Sequence, residues 1–287
     1  MSYEEFIVYF KNMITEKAAE GENPKFEFDA IRKVNGMKEC MLINTNSENI
    51  KKTIYFDDIY KDYSRCANMD TVYENVMDAI EEDSSYIDTD EIISIIEDIN
   101  SVREKITFFV INAAYNTDFL RSLPHRHYLD LAIVYKFSLF KRGEVIGKVM
   151  ITNEMIKNWG ITEEDLYEIS LQNTEKLFPT VIKSIRPDFK IVTNSNSING
   201  ASAILNKEMF RDMAEEIEDN LYIVPSSVHE LIILKASNHT PKEVRGVIYN
   251  VNTDILNVED LLSYNLYVYD KEKDAISICV EEGFNYS

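Results

Sequence analysis

Basic residues are scarce in this 287-residue chain, with 30 Lys and Arg against 50 Asp and Glu and a formal net charge of −20. That balance opposes direct binding to DNA, RNA or an anionic membrane, where Lys and Arg must displace counterions. The shortage is sharpest between Arg65 and Arg103, an interval with no Lys or Arg and eleven acids, from Asp70 to Asp98. Gly and Pro are also few, at eight and six, which argues against disordered linkers and collagen-like segments. Three widely spaced cysteines (Cys40, Cys66 and Cys279) suggest no disulfide framework and fit a reducing compartment. No apolar run approaches the roughly 20 residues that cross a bilayer. The opening MSYEEFIVYFKNMITEK places acids where a secretory signal carries bases. A cytoplasmic protein with no membrane contact is expected.

Sequence signatures of chemistry are absent too. The chain has no HExxH, CxxC, GxSxG, GxxxxGK[ST] or GxGxxG, which removes the usual zinc, nucleophile-elbow and phosphate-cradle signals. No cofactor and no metal are expected.

Hydrophobic periodicity is what the chain does have. Phe6, Ile7, Phe10, Met13 and Ile14 predict a helix over Tyr3 to Ala19. Two strands are expected around Val34-Asn35-Gly36. Helices are expected near Asp57–Tyr63, Asp70–Glu82 and Thr89–Val102, with Tyr73, Met77 and Ile80 as the buried face of the second. From Asp130 a regular rhythm appears. Leu131–Phe140 and Val145–Thr152 predict a hairpin, Lys190–Asn194 and Ala201–Leu205 a second, and Leu221–Val224 and Glu230–Lys235 a third. Leu266–Tyr269 and Ala275–Val280 predict a last. Helices between them start at Asn153, Thr162, Asn206 and Thr240-Pro241-Lys242-Glu243, the last with a capping box and a first-turn proline. The expected class is α+β, a mainly antiparallel sheet built from repeated hairpin–helix units, with a helix-rich acidic N-terminal part. A composition shift at Ser122-Leu123-Pro124 divides 1–122 from 123–287, as two regions or as parts of one continuous domain.

The segments TIYFDDIYKDY, LDLAIVYKF, ITNEMIKNWGITEEDLYEISLQNT, VTNSNSINGASAIL and YIVPSSVHELIIL resemble the bacterial domain of unknown function family 5688. Over Asp130 to Leu234 the chain is more faintly similar to domain of unknown function family 1444. EVRGVIYNVNTDILNVEDLLSYNLYVYD is similar to segments of large polyvalent proteins of conjugative elements, which implies a mobile-element setting. None of these resemblances implies an activity.

Four groups of residues are candidates for function. His125 and His127, at i and i+2, share a strand face with Asp130 nearby, yet a metal centre needs further converging ligands. Ser227 and His229 invite a nucleophile–base reading, although a catalytic dyad is defined by geometry in space. Asn194, Asn196 and Asn199 could contact a ligand or simply form turns. Asp70, Glu74 and Asp78 fall on one helix face with Glu81 and Glu82 one turn on, a surface for a basic protein partner or a solvated face. The expected function is that of a non-enzymatic accessory or interaction protein with this acidic face. The alternative is a hydrolase-like or metal-dependent enzyme, and the oligomeric state is open.

Overall fold

The computed structural model describes residues 1–19, 26–44, 51–83, 89–142 and 145–280, with side chains left out at 81–91 and 140–146. The chain forms two compact units, Met1–Ser94 and Ile95–Ser287. It is α+β, and the ladders among the described residues are antiparallel.

In the first unit, α1 (Tyr3–Ala19) precedes the meander β1 (Phe26–Lys33), β2 (Gly36–Asn44) and β3 (Lys51–Tyr55). The turn at Val34–Asn35 uses a left-handed Asn35 (φ 61°), a conformation asparagine tolerates. Then come α2 (Phe56–Cys66) and α3 (Met69–Asp83). Phe6, Phe10 and Ile14 of α1 pack on Met41 and Ile43 of β2, Phe56 and Ile59 of α2, and Val72, Val76 and Ile80 of α3. Burying each such side chain contributes about 1.5–3 kcal/mol. The buried stripe of α3 is therefore Val72-Val76-Ile80, with Tyr73 and Met77 only partly covered. Ile80 is buried as expected, while Val72 and Val76, each one position before the expected Tyr73 and Met77, take the most buried places.

The helix α4 (Thr89–Glu97) is followed by a break at Asp98, whose side chain caps α5 (Ile99–Val102) by accepting from the Asn100 amide at 3.0 Å. One sheet of the second unit contains β4 (Ile106–Asn112), β5 (His125–Tyr128), β6 (Leu131–Arg142) and β7 (Val145–Met150), with the short α6 (Thr117–Leu120) between β4 and β5. β4, upstream of Ser122, pairs along its length with β6, downstream of it, and the two units divide at Ser94/Ile95. The helices α7 (Asn153–Trp159) and α8 (Glu163–Leu177) begin at capping boxes on Thr152 and Thr162, and Gly160 closes α7 in the left-handed conformation. Those ends follow from local chemistry: threonine oxygens accept from orphan helix amides, and glycine carries a positive φ without a Cβ penalty.

The second sheet runs β13 (Ala275–Ile278), β12 (Tyr267–Asp270), β10 (Leu221–Ser227), β11 (Glu230–Lys235), β9 (Phe189–Asn194) and β8 (Thr180–Arg186). Here the expected second hairpin is corrected. β9 turns back on β8, and Ala201–Leu205 lies in a 3-10 turn, Gly200–Leu205, rather than a strand. The turn is tight because Gly200 sits against backbone: a Cβ there would stand 2.5 Å from the His229 carbonyl oxygen and 2.7 Å from the Asn194 nitrogen. α9 (Lys207–Ile217) and α10 (Pro241–Asp254) complete the unit. Its main core joins Leu131, Ile133, Tyr135 and Phe137 of β6 with Phe210 and Met213 of α9 and Leu221, Ile223, Leu231 and Ile233 of the second sheet.

Candidate functional site

Strand register decides which candidate side chains meet. The odd positions of β6 point into the core, so Val134, Lys136 and Ser138 fall on the opposite face. Lys136 lies opposite Thr107 of β4 and Met150 of β7, and Ser138 lies opposite Lys148 of β7. Lys136, Ser138, Lys148 and Thr107 are thus neighbours, although 41 positions separate Thr107 from Lys148 in the chain. The loop after β9 comes to the same place. Asn194, Asn196 and Asn199 line a narrow space of about 20 Å³ together with Lys136, Lys148 and Ser138.

That loop is fixed from within. The Asn194 amide donates to the Ile198 carbonyl at 2.9 Å, and the Asn196 side-chain oxygen accepts from the Ile198 N–H at 3.1 Å. Asn199 is left-handed (φ 59°) and donates its backbone N–H to His229 Nδ1 at 3.2 Å. The side-chain NH₂ groups of Asn196 and Asn199 have no hydrogen-bond partner among the described residues.

Lys136 is the unusual member. It is half-buried, with its ammonium 4.2 Å from the centre of the Phe109 ring, and it makes no ion pair among the described residues. Burial and the neighbouring Lys148 draw its pKa down to about 7, because desolvation and like charge both disfavour the ammonium. No Asp or Glu is among the described residues that line this space.

A larger cavity of about 370 Å³ borders the first across Phe108, Thr174, Phe178 and Asn194. Leu171, Ala203 and Leu205 add apolar lining. Two of its charged residues already have partners: Glu175 accepts from the N–H and hydroxyl of Thr180, which also lines the cavity, at 3.0 and 2.9 Å, and Lys207 pairs with Asp274 at 3.0 Å. Ser202 also lines it. This serine is 7% exposed, and its Oγ has no hydrogen-bond partner.

The other candidates are placed differently. His229 accepts at Nδ1 from the Asn199 N–H, so its Nε2 carries the proton and donates to Asp260 Oδ1 at 3.0 Å. Ser227 is buried and its Oγ accepts from the backbone N–H of His229 at 3.0 Å, not from the ring. Neither ring nitrogen faces the serine hydroxyl, and His229 ties the Asn194–Gly200 loop to Asp260. Asp130 is taken up by the Ser263 hydroxyl (2.6 Å), the Asn265 amide (2.9 Å) and the Tyr267 hydroxyl (2.7 Å). His125 and His127 share a face of β5, their rings edge-to-face at 5.3 Å, and His125 donates Nδ1–H to the Leu123 carbonyl at 2.9 Å. No group of three or more His, Cys, Asp or Glu that could hold a metal ion occurs among the described residues.

On α3, Asp70, Glu74 and Asp78 are exposed. Asp70 pairs with Lys17 at 3.2 Å, while Glu74 and Asp78 make no ion pair among the described residues. The side chains of Glu81 and Glu82 lie outside the described part. Among the described residues no helix is long and apolar enough to cross a membrane.

Motif spacing points to the three asparagines but not to Lys136 or Lys148. The available signal is a lysine interrupting the apolar run LAIVYKFSLF. A family model described as a family of unknown function (DUF5688) matches residues 3–190 and 187–271. No curated protein and no solved structure matches the chain.

Proposed function

The chain belongs to the family of unknown function DUF5688, and from that premise we propose that it is a non-enzymatic accessory protein of the cytoplasm that acts by binding. The residues best suited to chemistry support this reading, because His229, Ser227 and Asp130 are engaged in holding loops together. The binding face is the acidic side of α3, and its partner is a basic protein. The observation that carries it is the division of labour on that helix. Val72, Val76 and Ile80 are committed to the core, while Glu74 and Asp78 stand exposed with no cation among the described residues. Exposed like charges on one face steer an oppositely charged partner and set its arrival rate. The resemblance of residues 243–270 to polyvalent proteins supports a mobile-element setting for that partnership.

The test replaces Glu74, Asp78, Glu81 and Glu82 with lysine and compares pull-downs from cell extract. Partners captured by the natural protein should be lost by the variant, and should elute as ionic strength rises from roughly 0.1 to 0.5 M. Recovery of the same partners by both proteins rejects the acidic face.

A further inference from the structure

We propose that the cleft between β6, β7 and the Asn194–Gly200 loop binds a small organic acid, whose carboxylate sits on Lys136 and Lys148 and whose apolar body fills the adjoining cavity. This inference is independent of the acidic face on α3.

Among its described residues the narrow space is lined by lysines and neutral polar groups, without a carboxylate to balance the lysines. Lys136 and Lys148 line it with Ser138 and with Asn196 and Asn199, whose side-chain amides have no partner among the described residues, and no Asp or Glu is among the described residues of the lining. In a chain of net charge −20, two neighbouring lysines with no acid among the described lining residues are out of keeping with their surroundings. Burying the Lys136 ammonium costs hydration that the Phe109 ring offsets only in part, and an anion beside it would offset more. An anion in contact with both lysines removes their mutual repulsion as well.

Size selects the kind of anion. About 20 Å³ exceeds the 10–15 Å³ that admits one water-sized group. A planar carboxylate head suits that space better than a tetrahedral phosphate. The adjoining cavity, about 370 Å³, falls in the range of roughly 300–1,000 Å³ typical of small-molecule sites. Phe108, Phe178, Leu171 and Leu205 give it an apolar wall. Glu175 and Glu208 also line this cavity, so a carboxylate is repelled there and orients toward the lysines. The unpartnered Ser202 Oγ leaves a polar group for a ligand to satisfy.

The experiment is calorimetric titration of the full chain with octanoate, 1-octanol and inorganic phosphate. It is repeated on Lys136→Met, Lys148→Met and Asn196→Ala. Octanoate should bind saturably at one site, and either lysine variant should weaken it roughly tenfold or more. Asn196→Ala should weaken it less. Octanol, which keeps the body and lacks the charge, and phosphate, which keeps charge and lacks the body, should both bind more weakly than octanoate. The proposal is overturned by absence of octanoate binding, by equal octanoate affinity in the natural protein and both lysine variants, or by phosphate binding as tightly as octanoate. Lys148 is exposed, so Lys148→Met separates these outcomes even where Lys136→Met perturbs the fold.

Discussion

Lys136 makes a pH-dependent stability prediction at the scale of one residue. Its folded pKa is drawn down to about 7, whereas a lysine in the unfolded chain titrates near 10.4. Between those values the unfolded chain holds more protons, so this residue's contribution to stability rises with pH across about 7 to 10 and is least favourable below 7. Lys136→Met removes the buried ammonium and should stabilise the protein at pH 6, with the gap over the natural chain narrowing toward pH 10. Urea unfolding at pH 6 and pH 9.5 measures it, and a constant or widening gap contradicts a desolvated lysine. Asp274 behaves in the opposite sense. Arg211, Tyr269 and Lys207 hold its carboxyl well below the usual range, with Arg211 Nη2 at 2.5 Å and the Tyr269 hydroxyl at 2.7 Å. Its contribution is present above the ordinary carboxylate pKa of about 3.9 and is lost as pH falls through the depressed value. Asp274 is left-handed (φ 48°), a conformation asparagine tolerates, so Asp274→Asn isolates the charge. It should lower the melting temperature at pH 7, and the difference should fade in strong acid.

Among elements, the 3-10 turn Gly200–Leu205 is the most sensitive to one atom. A Cβ on Gly200 would meet Thr193 Oγ1 at 2.4 Å in addition to the two backbone atoms. Gly200→Ala should therefore destabilise the second unit by the cost of overpacking, about 1–3 kcal/mol, and speed hydrogen exchange in residues 194–200. Unchanged melting would mean the loop yields more easily than its packing indicates. This turn also shows where sequence reading stops. The starts of α8 and α10 are legible because a cap needs only residues three apart, as in Thr162 with Asp165 and Thr240 with Glu243. Ala201–Leu205 is read as a strand from its apolar pattern, whereas it belongs to a 3-10 turn whose first residue, Gly200, is met by Thr193 and His229 from elsewhere in the chain. β8 escapes a reading by pattern because its residues are mostly exposed at a sheet edge. β5 escapes it because His-Arg-His-Tyr lacks an apolar alternation, its order coming from pairing with β6. The asparagine loop is legible as turn chemistry. Its meeting with Lys136 and Lys148 is not, since register between β4, β6 and β7 depends on pairing that no local pattern states.

For the whole molecule, the second unit contains its own core and two of the three sheets found among the described residues. The single tryptophan, Trp159, belongs to it, with its ring 6.2 Å from Phe137 and Nε1–H donated to the Ile96 carbonyl at 2.9 Å. A fragment from Thr89 to Ser287 keeps all those groups and should unfold cooperatively, with Trp159 emission shifted to the blue as for a shielded indole. Emission typical of a hydrated indole would show that this unit does not fold by itself. The donor-lined cleft has a kinetic consequence in a molecule of net charge −20. Its far field repels the carboxylate that its near field holds, and the two act over different distances. Salt with a Debye length of about 10 Å at 0.1 M mutes the distant repulsion more than the contact with half-buried Lys136. Added salt should then quicken the arrival of an organic acid, whereas for a uniformly basic pocket it would slow it.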